Sequence, residues 1–259
     1  MNLEVKNGSF SYQPDRPILK NLEFQLSDGE ILCILGQNGI GKTTLLRCLT
    51  GLLKWQSGHA SLNGERINGI KSLSQIAYVP QVHPVMFPYT ALDMVCMGRA
   101  KTKSFFEMPS KQDRQIALES LESVGLQEFA DRKCSQMSGG QLQLVYIARA
   151  LAGNPEILIL DEPESHLDFK NQEIVLEKIT SLVEKNGISC IINTHFPEHA
   201  LRISSLTLLL GRDGDYVFGA TDTVLSEENI RRYFEVPVRI LDLSPLGIYQ
   251  KTFILDKTS

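Results

Sequence analysis

Gly36-Gln37-Asn38-Gly39-Ile40-Gly41-Lys42-Thr43 sets three glycines and a lysine between the apolar run Ile31–Leu35 and a helix-forming run that begins at Lys42. The spacing G-x-x-x-x-G-K-[ST] is that of a loop that wraps phosphate. Glycine reaches positive φ at little cost, so successive backbone N–H groups can turn inward as a nest around a β-phosphate. The helix that follows adds the positive end of its dipole. Lys42 reaches β- and γ-phosphate oxygens, and the Thr43 hydroxyl is placed to hold Mg²⁺. The chemistry these residues point to is nucleotide binding.

Met137-Ser138-Gly139-Gly140-Gln141 opens a second helix, expected over Gln141–Ala152 with Leu144, Val145, Ala148 and Leu151 on its apolar side. Ser138 and Gln141 stand at capping-box spacing. Two glycines in a first turn cost about 1 kcal/mol each relative to alanine. That cost makes sense if an anion must approach the exposed N–H groups; the plain alternative is an ordinary capped helix. The apolar run Ile157–Leu160 leads into Asp161-Glu162-Pro163. An Asp ending such a strand can hold the Mg²⁺ shell. Glu162 beside it is the natural general base for a hydrolytic water. A solvated acidic turn is the bland alternative. The helix starts at Lys42 and Ser138 could meet one triphosphate in cis or two in trans, and the residues leave that open.

Short apolar runs must carry these groups. Ile31–Leu35, Ile76–Val79, Ile157–Leu160, Cys190–Asn193 and Leu206–Leu210 each read as a buried strand bounded by Gly, Asp or Pro. Helical patterns lie between several of them, notably Lys42–Thr50 and Lys170–Asn186, the latter with Val175, Leu176, Ile179, Leu182 and Val183 on one face and Gly187 as its stop. This alternation predicts an α/β core with a mostly parallel sheet. VKNGSFSY and HASLNGE in the first sixty residues predict antiparallel strands and tight turns. From about 86 to 152 no convincing strand occurs, and Ser110 caps a helix running to Val124, with Gly125 at its end. The expected organisation is one domain over 1–259: a core from 1–85 and 153–259, and a helical insertion over 86–152. The tail from Val238 to Leu255 reads as two strands around Ser244–Pro245–Leu246–Gly247.

Composition narrows the class. The chain has 259 residues, a net charge of −4 and 42% hydrophobic content, enough for a proper core and weak ground for nucleic-acid binding. MNLEVKNGSFSY lacks the layout of a secretory signal, and no apolar stretch approaches the roughly 18 residues of a membrane span. The expectation is a soluble chain with any membrane role supplied by a partner. The five cysteines, Cys33, Cys48, Cys96, Cys134 and Cys190, are too scattered for a metal clip and read as small buried hydrophobes. His195 and His199 stand four apart with no third ligand nearby, so a metal pair is disfavoured. Trp55, Phe105 and Phe106 read as buried aromatics.

GQNGIGKTT, MSGGQ, ILILDEP, SHLD and NTH occur in the order and spacing of the ATP-binding subunit of ABC transporters. The chain resembles that family over nearly its whole length. The resemblance implies a P-loop NTPase core, an antiparallel N-terminal β subdomain and a helical insertion carrying MSGGQ. It implies ATP contacts from Gly36, Gln37, Asn38, Gly39, Ile40, Gly41, Lys42, Thr43 and Thr44, with Tyr12 stacked on adenine. Gln81 in YVPQ would sense the γ-phosphate and metal, joining Thr43 and Asp161 as metal ligands. Glu162, Lys42 and the switch histidine His195 would be catalytic. Ser138, Gly139, Gly140 and Gln141 would cover ATP held by a second copy, so the trans arrangement and a head-to-tail homodimer are implied. Ser165 to Asp168 would cross to that partner; His166 stands where many relatives carry alanine.

FPYTALDMVCMGR, ESHLDFKNQ, INTHFPEHA and VLSEENIRRYFEVPV are similar to the ATPases of importers for iron-siderophore, haem, cobalamin and molybdate. They imply ATP- and Mg²⁺-dependent hydrolysis at the cytoplasmic face of the cell membrane. That hydrolysis would power uptake through a polytopic permease served by a substrate-binding protein. Two other classes compete. A soluble ABC-type ATPase of DNA repair or chromosome organisation would need a long coiled coil, and no sustained heptad exists here. A non-hydrolytic nucleotide-gated assembly factor would have no use for Glu162.

Overall fold

Alternating polar and apolar residues in the first sixty positions form strands with one buried face. The computed structural model describes residues 1–13, 15–67, 75–81, 88–102, 108–243, 245 and 251–256. The chain divides into two compact units, Met1–Lys71 with Ser189–Ser259, and Ser72–Ile188. In the first unit β1 (Asn2–Gln13), β2 (Arg16–Ser27), β4 (Ser57–Leu62) and β5 (Glu65–Arg66) form an antiparallel sheet ordered β2-β1-β4-β5. Leu3, Val5, Phe10, Leu19, Leu22, Phe24 and Leu26 fill its inner side. Between β2 and β4 run β3 (Ile31–Leu35) and α1 (Lys42–Leu49). Trp55 is half-buried with its ring against Gly8, where a Cβ would come within 2.7 Å of it.

The second unit holds β6 (Ile76–Val79), α2 (Ala91–Cys96), α3 (Lys111–Ser123), α4 (Gly139–Leu151), β7 (Ile157–Asp161) and α5 (Phe169–Asn186). β6 and β7 pair in parallel. Thr90, Ser110 and Ser138 each close a capping box at the start of a helix, so an orphan N–H is satisfied at every one of those three ends. Arg99 joins two of the helices: its Nε donates to Asp113 Oδ1 at 3.3 Å and its Nη1 to the Ala152 carbonyl at 2.8 Å. Contacts divide the chain at 71 and 188 rather than at the expected 86 and 152, because α4 packs on β6 and α5 and draws both into the unit of the helices. Among the described residues of 88–152 the only β pairing is an isolated bridge between Thr90 and Lys133.

The chain returns to the first unit with β8 (Ser189–Asn193), α6 (Pro197–Ile203), β9 (Leu206–Leu210), β10 (Tyr216–Ala220), α7 (Thr221–Val224), α8 (Glu227–Phe234), β11 (Val238–Asp242) and β12 (Lys251–Leu255). β3 lies parallel to β8 on one side and to β9 on the other, and β10 closes that edge antiparallel to β9. All residues of β3, β7 and β8 are buried, as continuous apolar strands of a parallel sheet require. β11 and β12 form the expected terminal hairpin; most of its turn, like Phe105 and Phe106, lies outside the described residues. All five cysteines are free and buried. Burial pushes the Cys48 thiol up to about 12, which keeps it inert.

Candidate functional site

In the first unit the candidate residues gather at the carboxyl ends of parallel strands, where open α/β sheets bind ligands. The loop Gly36–Gly41 leaves β3 and runs into α1. Gly41 takes the N-cap position at φ 116° and no side chain caps this helix. No side chain therefore takes up the amides of the first turn, the arrangement in which a helix start can receive an anion. Lys42 is only 5% exposed, and its Nζ donates to the Gly36 carbonyl at 2.9 Å and the Gln37 carbonyl at 3.2 Å. The loop carbonyls thus replace water around a buried ammonium. Asn38 and Gly39 are exposed, and Ile40 and Thr43 are half-buried. Thr44 is buried, its hydroxyl 3.5 Å from Tyr12 Oη. Tyr12 stands edge-on to Phe10 with ring centroids 5.0 Å apart and remains 58% exposed, a free aromatic face beside the loop.

His195 follows β8, whose end is tied to β3 by the Thr194 amide donating to the Ile34 carbonyl at 3.1 Å. The loop and the histidine therefore leave adjacent parallel strands at the same edge. His195 and His199 flank Phe196, with ring centroids 4.1 and 4.7 Å from it. Sequence reasoning gave Gln37 no side-chain role, but its amide donates to the Tyr233 carbonyl at 3.2 Å, which ties the loop to α8.

In the second unit the parallel pairing of Val79 with Leu160 brings Gln81, two residues past β6, to the same strand edge as Asp161 and Glu162. Asp161 is 7% exposed, and Tyr78 Oη donates to its Oδ2 at 2.8 Å. Tyr78 faces Ile159 in the register, so it lies diagonal to Asp161 on one face of the pair. Sequence reasoning missed this tyrosine; its signal is a polar-tipped aromatic near the end of an otherwise apolar strand. Tyr78→Phe removes a charge-directed hydrogen bond, so the variant should lose about 1.5–3 kcal/mol in urea denaturation. A loss near zero would show that Asp161 does not depend on this donor.

Glu162 is half-buried at φ 50°, and Ser165 Oγ donates to its Oε2 at 2.9 Å. Ser138 is the N-cap of α4, whose first residue, Gly139, lies two residues before the start expected at Gln141. Its hydroxyl accepts from the Gln141 amide at 3.3 Å, while Gln141 Oε1 accepts from the Ser138 amide at 3.1 Å. The two glycines have a local reason besides any ligand. A Cβ at Gly140 would lie 2.7 Å from Asn171 Oδ1, and one at Gly139 would lie 3.0 Å from Leu167 Cδ2. The start of α4 is shaped by close packing on the segment that leads into α5.

Each unit by itself carries hard-oxygen groups, the Thr43 hydroxyl in the first and the Gln81 amide carbonyl and Asp161 carboxylate in the second. Oxygens of this kind suit Mg²⁺. Among the described residues no three His, Cys, Asp or Glu side chains gather to hold a metal by themselves.

Comparison with known proteins gives a consistent result. The profile of the family described as "ABC transporter" matches residues 19–165. The molybdate import ATP-binding protein MolC of Haemophilus influenzae is 37% identical over 236 residues, covering 91% of this chain and 89% of that protein. A solved chain described as belonging to a metal-chelate type ABC transporter in an inward-facing conformation superposes with a TM-score of 0.88 at 34% identity, over 99% of this chain and 98% of that one. The ATP-binding cassette MJ0796, in a dimeric post-hydrolysis state bound to ADP and Pi, superposes with a TM-score of 0.70 at 29% identity, over 85% and 98% of the two chains.

Proposed function

This chain belongs to the ABC transporter family as an ATP-hydrolysing subunit, and from that premise we propose that its work is import. Two copies pair head to tail on the inner face of the cell membrane and drive a metal chelate or a molybdate-type oxyanion through a separate permease. A substrate-binding protein delivers the cargo. The likeness that carries the cargo class is end to end: 99% of this chain superposes on the metal-chelate type ATPase at 34% identity.

The mechanism follows from the groups in place. Tyr12 stacks on adenine, and the amides of Gly36 to Thr44 wrap the phosphates. Lys42 trades its two carbonyl partners for β- and γ-phosphate oxygens. Thr43, Gln81 and Asp161 would hold Mg²⁺, which when bound neutralises charge on those oxygens. Glu162, steadied by Ser165, takes the proton of the attacking water. His195 contacts the γ-phosphate. Ser138, Gly139, Gly140 and Gln141 cap the nucleotide held by the other copy, so ATP joins the copies and its hydrolysis separates them.

Tagged chain expressed in its native cell should sediment with membranes and copurify with a polytopic protein. Deleting its gene should abolish uptake of either radiolabelled molybdate or an iron chelate. Recovery from the soluble fraction alone, with both uptakes intact, would overturn the transport reading.

A further inference from the structure

The segment between β7 and α5 reads Glu162-Pro163-Glu164-Ser165-His166-Leu167-Asp168. Two of its non-glycine residues have positive φ, Glu162 at 50° and His166 at 62°. Such backbone is sparsely populated and persists only where the surroundings over-determine it, most often at functional sites. Here the pins are visible. The Ser165 amide donates to the Glu162 carbonyl at 3.1 Å, and the Leu167 amide to the Glu164 carbonyl at 3.4 Å. Gln172 Nε2 donates to the carbonyls of Glu164 and Leu167, at 3.3 and 3.2 Å. Asp168 Oδ1 accepts from the Asn171 amide at 2.8 Å and fixes the far end on α5.

This held loop presents the exposed His166 imidazole to Gln81, with Nε2 of the ring 3.4 Å from Nε2 of the amide. An amide nitrogen only donates, so the contact uses the ring nitrogen as acceptor and leaves Gln81 Oε1, the other arm of the same planar carboxamide, outside it. That assignment matters because a Gln amide has two flips of nearly equal shape, and only its oxygen can ligate a hard cation.

We infer that His166 is a positioning residue that grips Gln81 by its amide nitrogen, so that the carbonyl oxygen is the atom offered to Mg²⁺. The inference rests on the reading of Gln81 as a metal ligand. The neighbouring Ser165 does the same for the base, donating to Glu162 Oε2 at 2.9 Å. Two consecutive side chains of one strained loop therefore hold a metal ligand and a proton acceptor at once.

The test is Mg²⁺ titration of ATPase activity at saturating ATP, in the assembled transporter, alongside ATP binding in EDTA. His166→Gly keeps the positive φ and removes the acceptor. His166→Gln keeps an acceptor, because its Oε1 reaches as far from the backbone as the ring Nε2 that meets Gln81, whereas the Oδ1 of an asparagine would reach only as far as Nδ1. The glycine variant should need roughly two- to tenfold more Mg²⁺ for half-maximal turnover, what one neutral hydrogen bond contributes. Its ATP binding in EDTA should be unchanged, and the glutamine variant should sit near wild type. Gln81→Ala separates the two ideas. If it shifts the Mg²⁺ requirement and His166→Gly does not, His166 has no such role while Gln81 remains a ligand. If Gln81→Ala shifts nothing, the ligand reading falls and takes this inference with it. Equal impairment of the glycine and glutamine variants also overturns it.

Discussion

Replacing Glu162 by glutamine should leave ATP binding intact and lower turnover by about two to four orders of magnitude, the range of a positioned general base. The exchange is isosteric. The glutamine carbonyl can still accept from the Ser165 hydroxyl that now reaches Oε2 at 2.9 Å, and the positive φ of 50° is no worse for glutamine than for glutamate. Only the capacity to take a proton is removed. If ATP joins two copies and hydrolysis parts them, the variant should also accumulate as a nucleotide-bound dimer, visible by light scattering with ATP and absent without it. Undiminished single-turnover hydrolysis would remove Glu162 from the role of base. Slow turnover without a trapped dimer would keep the base and discard the clamp.

How much of this is legible in the sequence depends on the range of the interaction. The buried strands are, because a parallel sheet makes every residue of ILCIL inaccessible. The buried face of α5 is also legible: Val175, Leu176, Ile179, Leu182 and Val183 are its buried residues, as the spacing predicts. α4 is legible only in part. Leu142, Gln143 and Ile147 are buried there as well, while Leu151 is half-buried, because the helix has neighbours on several sides and a one-sided pattern no longer describes it. The motif residues carry their roles in type and spacing, but their supports do not. The Tyr78 hydroxyl meets an aspartate 83 positions away, and the contact depends on the register of β6 on β7. Gly140 shows the same limit from the other side. Its lack of a side chain reads as room for an anion, yet Asn171 stands where a Cβ would go, and no local pattern connects residues on different helices. His166 looks like an idle substitution until its backbone conformation and the Gln81 amide are seen together.

The glycines of the phosphate loop should not be equivalent, although the motif treats them alike. Gly36 has φ 145°, and a Cβ there would lie 2.5 Å from the Leu210 carbonyl oxygen. That oxygen cannot retreat: Leu210 is buried at the end of β9, and the preceding Leu209 is in register with Leu35 of β3. The Gly36 carbonyl is also the acceptor 2.9 Å from Lys42 Nζ, so displacing it moves the cation. Gly39 has φ 79° and nothing within 4 Å of its would-be Cβ. It needs glycine for conformation alone, a penalty of about 1–2 kcal/mol for an L-residue. Gly36→Ala should therefore weaken ATP binding by about a hundredfold or more, equivalent to ~2.7 kcal/mol, and lower the melting temperature of the apo chain. Gly39→Ala should cost about five- to thirtyfold, and Gly39→Asn less, because Asn enters the left-handed region more readily. Equal losses at the two positions would mean that both glycines serve only the curvature of the amide nest, and that the Leu210 carbonyl does not set the wall of the site.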